Sequence, residues 1–321
     1  MKGLNDLPVL ILAYNRFNKF LRCINTLHFQ GVSNIYISID GPKNNSDIKN
    51  QILIKRFCQE NKLGIKNLKV NFFLKNNGCR LGPIKGITWF FKENNYGVVL
   101  EDDVVISKNC LQSFSDLLQT YKNDSKFMSL SSFNEYCKND IKGLYSVPVW
   151  RSWGWASWAD KWNEHLEFSK KIKKYSLIRL YNLLPEELKS IDTVNIIKSC
   201  QLNLLDAWDY EFNFTHIVKD YKSLTIGGIN NYVYGFDESA THTLDIDSLG
   251  IDFSLYKESL IDHSKQIVLD YKSAKSILKK CGFPYKDKIR FEELIYIYIK
   301  QIYCSFIFRL RVIKKYLQNN P

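Results

Sequence analysis

Apolar and polar residues alternate in blocks along the first third of the chain. "PVLILAY" (8–14) is an unbroken apolar run, the pattern of a strand buried on both faces. "NKFLRCINTLH" (18–28) spaces Phe20, Leu21, Ile24 and Leu27 three and four apart, which predicts an amphipathic helix. "NIYISID" (34–40) reads as a second strand, stopped by the turn signal "GPKNN". "SDIKNQILIKRFCQEN" (46–61) reads as a helix with Ser46 as its N-cap. "KVNFFL" (69–74) is a third strand, and "PIKGITWFFKENN" (83–95) a helix opened by Pro83. "YGVVLEDDVVI" (96–106) contains a fourth strand, and "NCLQSFSDLLQTYKN" (109–123) another amphipathic helix.

This alternation predicts an α/β protein with a mostly parallel sheet covered by helices on both faces. In such sheets ligands collect at the carboxyl ends of the strands. The polar strand ends therefore define a candidate crevice. They are Tyr14, Asn15 and Arg16, then Asp40 and Gly41, then "KNNGCRLG" (75–82), then Glu101, Asp102 and Asp103. Three carboxylates between apolar runs call for a cation, because an unpaired buried charge is costly. Mg²⁺ or Mn²⁺ takes one or two carboxylates and completes its shell with phosphate oxygens and water. The ordinary alternative is an acidic turn at the end of a strand.

The second half is less regular. "VPVWRSWGWASWADKW" (147–162) places five tryptophans in one stretch. Trp153, Trp155 and Trp158 stand around Gly154 and Ala156, small residues that would let a sugar ring stack on an indole; core packing is the alternative. "LNLLDAWDYEFNFTHIV" (202–218) reads as a helix with acids on one side, and "LTIGGINNYVYGFDESATHT" (224–243) as a strand and a polar loop. Residues 286–321 carry Ile295, Ile299, Ile302, Phe306 and Leu310 among Lys300, Arg309, Arg311, Lys314 and Lys315. That is a basic amphipathic helix suited to an anionic membrane surface. Packing on the rest of the chain, or a homodimer contact, is the alternative.

Charge and cysteines narrow the choice. A net charge of +12 over 321 residues suits an anionic partner without choosing among them. The eight cysteines form no C-x-x-C pair, so structural zinc is disfavoured and reduced core thiols are expected. The N-terminus lacks the shape of a signal peptide, and no uncharged run approaches a spanning helix, so a cytoplasmic location is expected, peripheral at the inner face of the plasma membrane if the tail binds there. No G-x-x-x-x-G-K-[ST] and no G-x-G-x-x-G follows the first strand, so phosphate must be held by a metal and basic groups.

Six pieces in order, "PVLILAYNR", "YISIDGP", "NNGCRLGPIKGI", "GVVLEDDVVIS", "WRSWGWASW" and "GFDESATHT", resemble the GT-A glycosyltransferases, nearest to the N-acetylglucosaminyltransferase I type and its bacterial relatives. The resemblance spans about residues 8–243 and implies a GT-A (Rossmann-like) fold with a mixed, mostly parallel sheet. It implies a catalytic domain over 1–250, with a nucleotide-sugar half (1–107) and an acceptor half (108–250). A helical basic extension would occupy 251–321.

The resemblance also implies roles. Asp103 would ligate Mn²⁺ (or Mg²⁺), Asp102 would face the ribose, and Glu101 the base side of the pocket. Asp40 would bond uracil and Arg80 would approach the nucleotide or diphosphate. Asn15 and Arg16 hold the first-strand tip, as "YNR" where the family has Cys-Asp-Arg. Asp209, in "LLDAWDYEF", would be the catalytic base of an inverting transfer, with Asp206, Glu211, Asp237 and Glu238 as rivals. Asp237 and Glu238 otherwise belong with Trp153 and Trp155 on the acceptor side, and His242 would reach the metal or diphosphate. The implied substrates are a UDP-sugar and a saccharide or lipid-linked saccharide acceptor, in bacterial surface polysaccharide or lipopolysaccharide synthesis. A sugar-nucleotide nucleotidyltransferase would need a Gly-rich loop with a Lys after the first strand, which "AYNRFNKF" lacks. A nucleic-acid binder would need a concentrated basic stripe with interleaved aromatics, whereas Lys is spread along helices, so no nucleic-acid partner is expected.

Overall fold

The computed structural model describes residues 3–133 and 143–227, and the backbone of two short strands at 231–233 and 266–268. In chain order the elements are β1 (Val9–Ala13), α1 (Phe17–Phe29), β2 (Asn34–Ile39), α2 (Asn45–Glu60), β3 (Asn67–Phe72), α3 (Gly78–Glu93), β4 (Tyr96–Glu101), β5 (Val104–Ile106) and α4 (Lys108–Thr120). There follow β6 (Phe127–Ser131), β7 (Leu144–Val147), β8 (Trp155–Trp158), α5 (Ala159–Ile172), α6 (Leu177–Asn182), α7 (Ile191–Gln201), α8 (Asp209–Val218), β9 (Lys222–Ile226), β10 (Asn231–Val233) and β11 (Gln266–Val268).

Nine strands form one mixed sheet in the order β11-β7-β9-β6-β8-β4-β1-β2-β3, and β5 pairs with β10 in a second, small sheet. Five neighbouring pairs of the large sheet are parallel. Three are antiparallel, two of them because β8 inserts between β4 and β6. One sheet therefore runs across the boundary expected at residue 107.

The apolar runs of β1, β2 and β4 do what the sequence predicts, and each of these strands feeds both faces. Val9, Ile11 and Ala13 of β1 join one core with α1, α2 and α4. Leu10 and Leu12 join the other, with Ile87, Phe90 and Phe91 of α3, Trp162 of α5 and Phe212 of α8. Alternate side chains of a strand point to opposite faces, so an all-apolar strand needs cover on both. A third cluster packs α6, α7 and α8 around Leu180, Ile197 and Phe214.

Several boundaries differ from the expected ones, among them β3, which is Asn67–Phe72 where 69–74 was expected. Asn44, not Ser46, caps α2, in a reciprocal capping box with Asp47. Pro83 lies at the sixth residue of α3 rather than its start, because the helix begins at Gly78. Residues 202–208 are not helical, and α8 starts at Asp209. Among the described residues, no helix is long and apolar enough to cross a membrane. Cys23, Cys58, Cys110 and Cys200 are buried free thiols.

Candidate active site

The sheet order places the site. β2 and β4 both pair with β1 in parallel, so the strand order reverses between β1 and β4. Such a switch point opens a crevice beyond the carboxyl ends of the two strands. Arg16 follows the tip of β1, and Glu101, Asp102 and Asp103 close β4. The amide of Asp102 donates to the carbonyl of Leu12 at 2.9 Å, which locks the acidic turn against β1.

Arg16 then bridges the turn. One guanidinium nitrogen pairs with Asp102 Oδ1, and the other lies 2.7 Å from Asp103 Oδ2. One cation thus faces three carboxylates. Desolvation, reinforced by the charge of Asp103, pushes Glu101 up to about 8 against the pull of Arg16. Desolvation likewise lifts Asp102 to about 6, with Arg16 opposing it. Asp102 Oδ2 is buried without a hydrogen-bond partner. Among the described residues, no three His, Cys, Asp or Glu groups form a ready metal cage. The donor set is instead hard and oxygen-only, which fits a cation that shares its shell with substrate phosphate.

The neighbouring tips are tied rather than open. Asp47, missed in the sequence, accepts from Tyr14 Oη and Asn15 Nδ2 at 2.6 Å each and from the amides of Lys43 and Asn44. Burial works against this carboxylate, but the four hydrogen bonds outweigh it and hold its pKa below the usual range. Asn15 is therefore a strut between β1 and α2. The N-x-x-D spacing at 44–47 was the signal that could have revealed Asp47. Asp40 accepts from Asn77 Nδ2 at 2.7 Å and from the amides of Asn77 and Gly78. Three donors of this loop thus hold the Asp40 carboxylate at the tip of β2.

Two of the expected site residues are buried or paired within the chain. Arg80 holds Glu211 Oε2 through its Nε and a terminal nitrogen at 2.8 and 2.7 Å, and its Nη1 donates to Asn203 Oδ1. Trp155 is 1% exposed and packs against Trp150, Trp208 and Phe212 at centroid distances of 5.0–5.7 Å, so its ring meets no ligand. Ala156 beside it is fully buried between β4 and β6, and the small residue serves strand packing rather than ligand approach. Trp158 is buried too, with its indole N–H on the Leu118 carbonyl. Trp153 remains half-buried, edge-on to Phe133 at 4.7 Å.

Among the acids proposed as base, Asp206 accepts from the amides of Cys79 and Arg80 at 2.9 and 2.7 Å, and Glu211 is 1% exposed in its pair with Arg80. Asp209 is the first residue of α8, half-exposed, and its charge is among those that raise Glu101. Asp237, Glu238, His242 and the tail 291–321 lie outside the described residues.

No protein-family model matches the chain. Solved structures with partial likeness include HddC from Yersinia pseudotuberculosis, at 14% identity and a TM-score of 0.29 over 48% of this chain and 77% of that one. The bifunctional glycosyltransferase WbbM matches at 9% identity and 0.32, over 66% of this chain and 37% of that one. S. aureus TarS 1-349 in complex with UDP-GlcNAc matches at 11% and 0.33, over 71% and 58%. The chain thus spans less than two thirds of the WbbM and TarS structures. At these TM-scores the likeness is too distant to carry a site or a substrate across.

Proposed function

We propose that this chain is a metal-dependent glycosyltransferase of the GT-A type, moving a sugar from a UDP-linked donor to a saccharide acceptor with inversion. The observation that carries this reading is the acidic turn Glu101-Asp102-Asp103 at the β1/β4 switch point, braced by Arg16. The switch point is where an α/β sheet takes a nucleotide, and the turn is what a phosphate-bridged cation needs.

Asp103 and the unpartnered Oδ2 of Asp102 would hold Mn²⁺ or Mg²⁺. When bound, the ion offsets the charge that develops on a leaving diphosphate. The remaining steps belong to the chain. Arg16, freed in part from the two aspartates, supplies a second positive charge beside the diphosphate. The Asp209 carboxylate takes the proton from the acceptor hydroxyl as that oxygen attacks the anomeric carbon from the face opposite the diphosphate. The struts from Asp47 and Asp40 keep the β1 and β2 tips fixed while this occurs.

The test is a thermal-shift panel of nucleotide sugars with and without Mn²⁺. A ligand at ~100 times its Kd raises stability by about 2.7 kcal/mol, so a UDP-sugar should give a clear Mn²⁺-dependent shift. Asp103→Ala should fold and lose that shift. A shift that is equal without metal, or retained in Asp103→Ala, overturns the metal role. No shift with any nucleotide sugar overturns the whole reading.

The acceptor is lipid-linked in this reading, and the basic amphipathic stretch 291–321 brings the crevice to an anionic leaflet. A chain ending at residue 290 should then co-sediment less with anionic vesicles at low salt than the full chain. Equal sedimentation removes the tail as anchor.

A further inference from the structure

Arg80 joins α3 to α8. It is the third residue of α3, and its own amide and that of Cys79 are capped by Asp206 from across the chain. That contact is allowed by Gly78, whose φ of +81° is left-handed and whose place leaves no room for a Cβ, since one would lie 2.5 Å from Asp206 Oδ2. The guanidinium then grips Glu211 Oε2 through two nitrogens and Asn203 Oδ1 through a third. The second Glu211 oxygen accepts from Ser169 Oγ of α5 at 3.0 Å. Arg80 is 12% exposed and Glu211 1%, so the pair is sheltered from solvent and screened little by salt.

Asn203, Asp206 and Glu211 thus fasten the non-helical approach to α8, and its first turn, to the first turn of α3. Asp209 lies between the last two anchors. It is the first residue of α8 and is part-exposed. Glu211, two residues on, points to α3 instead. The division of labour follows from helix geometry, because residues two apart face different sides of a helix.

We propose that Arg80 is a positioning residue for transfer: through Glu211 and Asn203 it sets the start of α8 and so aims Asp209 across the crevice at the acceptor. This rests on the reading of Asp209 as the base. A planar guanidinium that places two nitrogens on one Glu211 oxygen and a third on Asn203 fixes direction as well as distance, which a lysine at the same place does not.

The experiment compares Arg80→Lys, Glu211→Gln and Asp209→Asn, singly and as Arg80→Lys with Asp209→Asn, in steady-state transfer from the donor identified above. Misplacement by about 1 Å costs ~10²-fold, so kcat should fall ~10–100-fold in Arg80→Lys while donor KM stays within about twofold. In the Asp209→Asn background the same change should add less than about threefold, because both act on one group. A raised donor KM with kcat kept, or losses that multiply in the double variant, overturns the proposal and makes Arg80 a donor ligand. If Arg80→Lys does not fold, Glu211→Gln, which keeps size and one acceptor, carries the same comparison.

A second readout separates this idea from the functional reading. In the ligand-free protein, amide exchange over 203–212 should speed up in Arg80→Lys and Glu211→Gln, with α1 and α4 unchanged. If the wild-type chain turns over no nucleotide sugar, the glycosyltransferase reading falls, and faster exchange at 203–212 still upholds the clasp. Unchanged exchange there overturns the clasp whatever the activity.

Discussion

Asp102, Asp206, Asp209 and Glu211 are all acids, yet their surroundings give them different work. Asp206 is consumed by two amides at the start of α3, and Glu211 by Arg80 and Ser169. Asp102 is spent on Arg16 through one oxygen, with the other buried and unpartnered. Asp209 is half-exposed at a helix start, and its charge is among those that raise Glu101. Its conversion to Asn removes a proton acceptor while keeping shape, so Asp209→Asn should fold, bind UDP-sugar as the wild type does, and lose ~10²-fold or more in transfer. Wild-type turnover would return the role to Asp237 or Glu238. A product that keeps the donor's anomeric configuration would remove the need for a base on that face. The one-residue register around Asp206 to Glu211 could not be read from "LLDAWDYEF" alone, because the partners that distinguish its acids come from residues 79, 80 and 169.

At the scale of elements, strands were legible wherever burial on both faces writes a continuous apolar run. β1, β2 and β4 fall within the runs that predicted them, and α1 and α4 follow their apolar spacing. Ends set by distant groups were not legible. α3 starts five residues before Pro83 because Asp206 satisfies its first amides from more than a hundred residues away, a cap with no local signature. The tryptophan stretch was open to two readings for a related reason. Gly154 and Ala156 looked like room for a sugar, but Gly154 makes a left-handed turn at φ +76° and a Cβ there would lie 2.6 Å from Ser132 Oγ. Ala156 is small because β8 is squeezed between two strands. Close approach of backbone to side chain, or of strand to strand, leaves the same small residues as approach of a ligand. The acidic turn was legible because carboxylates beside an apolar run violate the burial rule, and such violations concentrate at functional sites.

At the scale of the whole molecule, the core between α5, α8 and the sheet contains two neutral histidines, and these tie stability to pH. His165 and His216 are 1% and 0% exposed. His165 Nδ1 is 2.8 Å from Thr215 Oγ1, and His216 Nε2 is 2.8 Å from Ser129 Oγ, with Trp150, Trp162 and Phe212 packed around the rings. Burial lowers His165 to about 3, with the charges of His216 and Arg80 adding to it, and lowers His216 to about 4. In the unfolded chain both titrate near 6.5. Between these values the unfolded state binds more protons than the native one, so stability rises with pH across that window and is lost as pH falls below about 6.5. Each histidine contributes at most ~1.4 kcal/mol per pH unit there. Glu101 and Asp102 act with the opposite sign. Their raised values mean that the native state binds more protons from about 8 down to the ordinary carboxylate range, which favours folding as pH falls. The raw pH curve is therefore a difference of two slopes, and the informative quantity is the gap between the wild type and His165→Asn/His216→Gln, in which the carboxylate contribution cancels. Urea unfolding at several pH values from 7.5 to 5 should show wild-type stability falling more steeply toward acid than that of the double variant, even though the variant starts lower. Parallel curves would mean that the two rings are not held neutral in the native core.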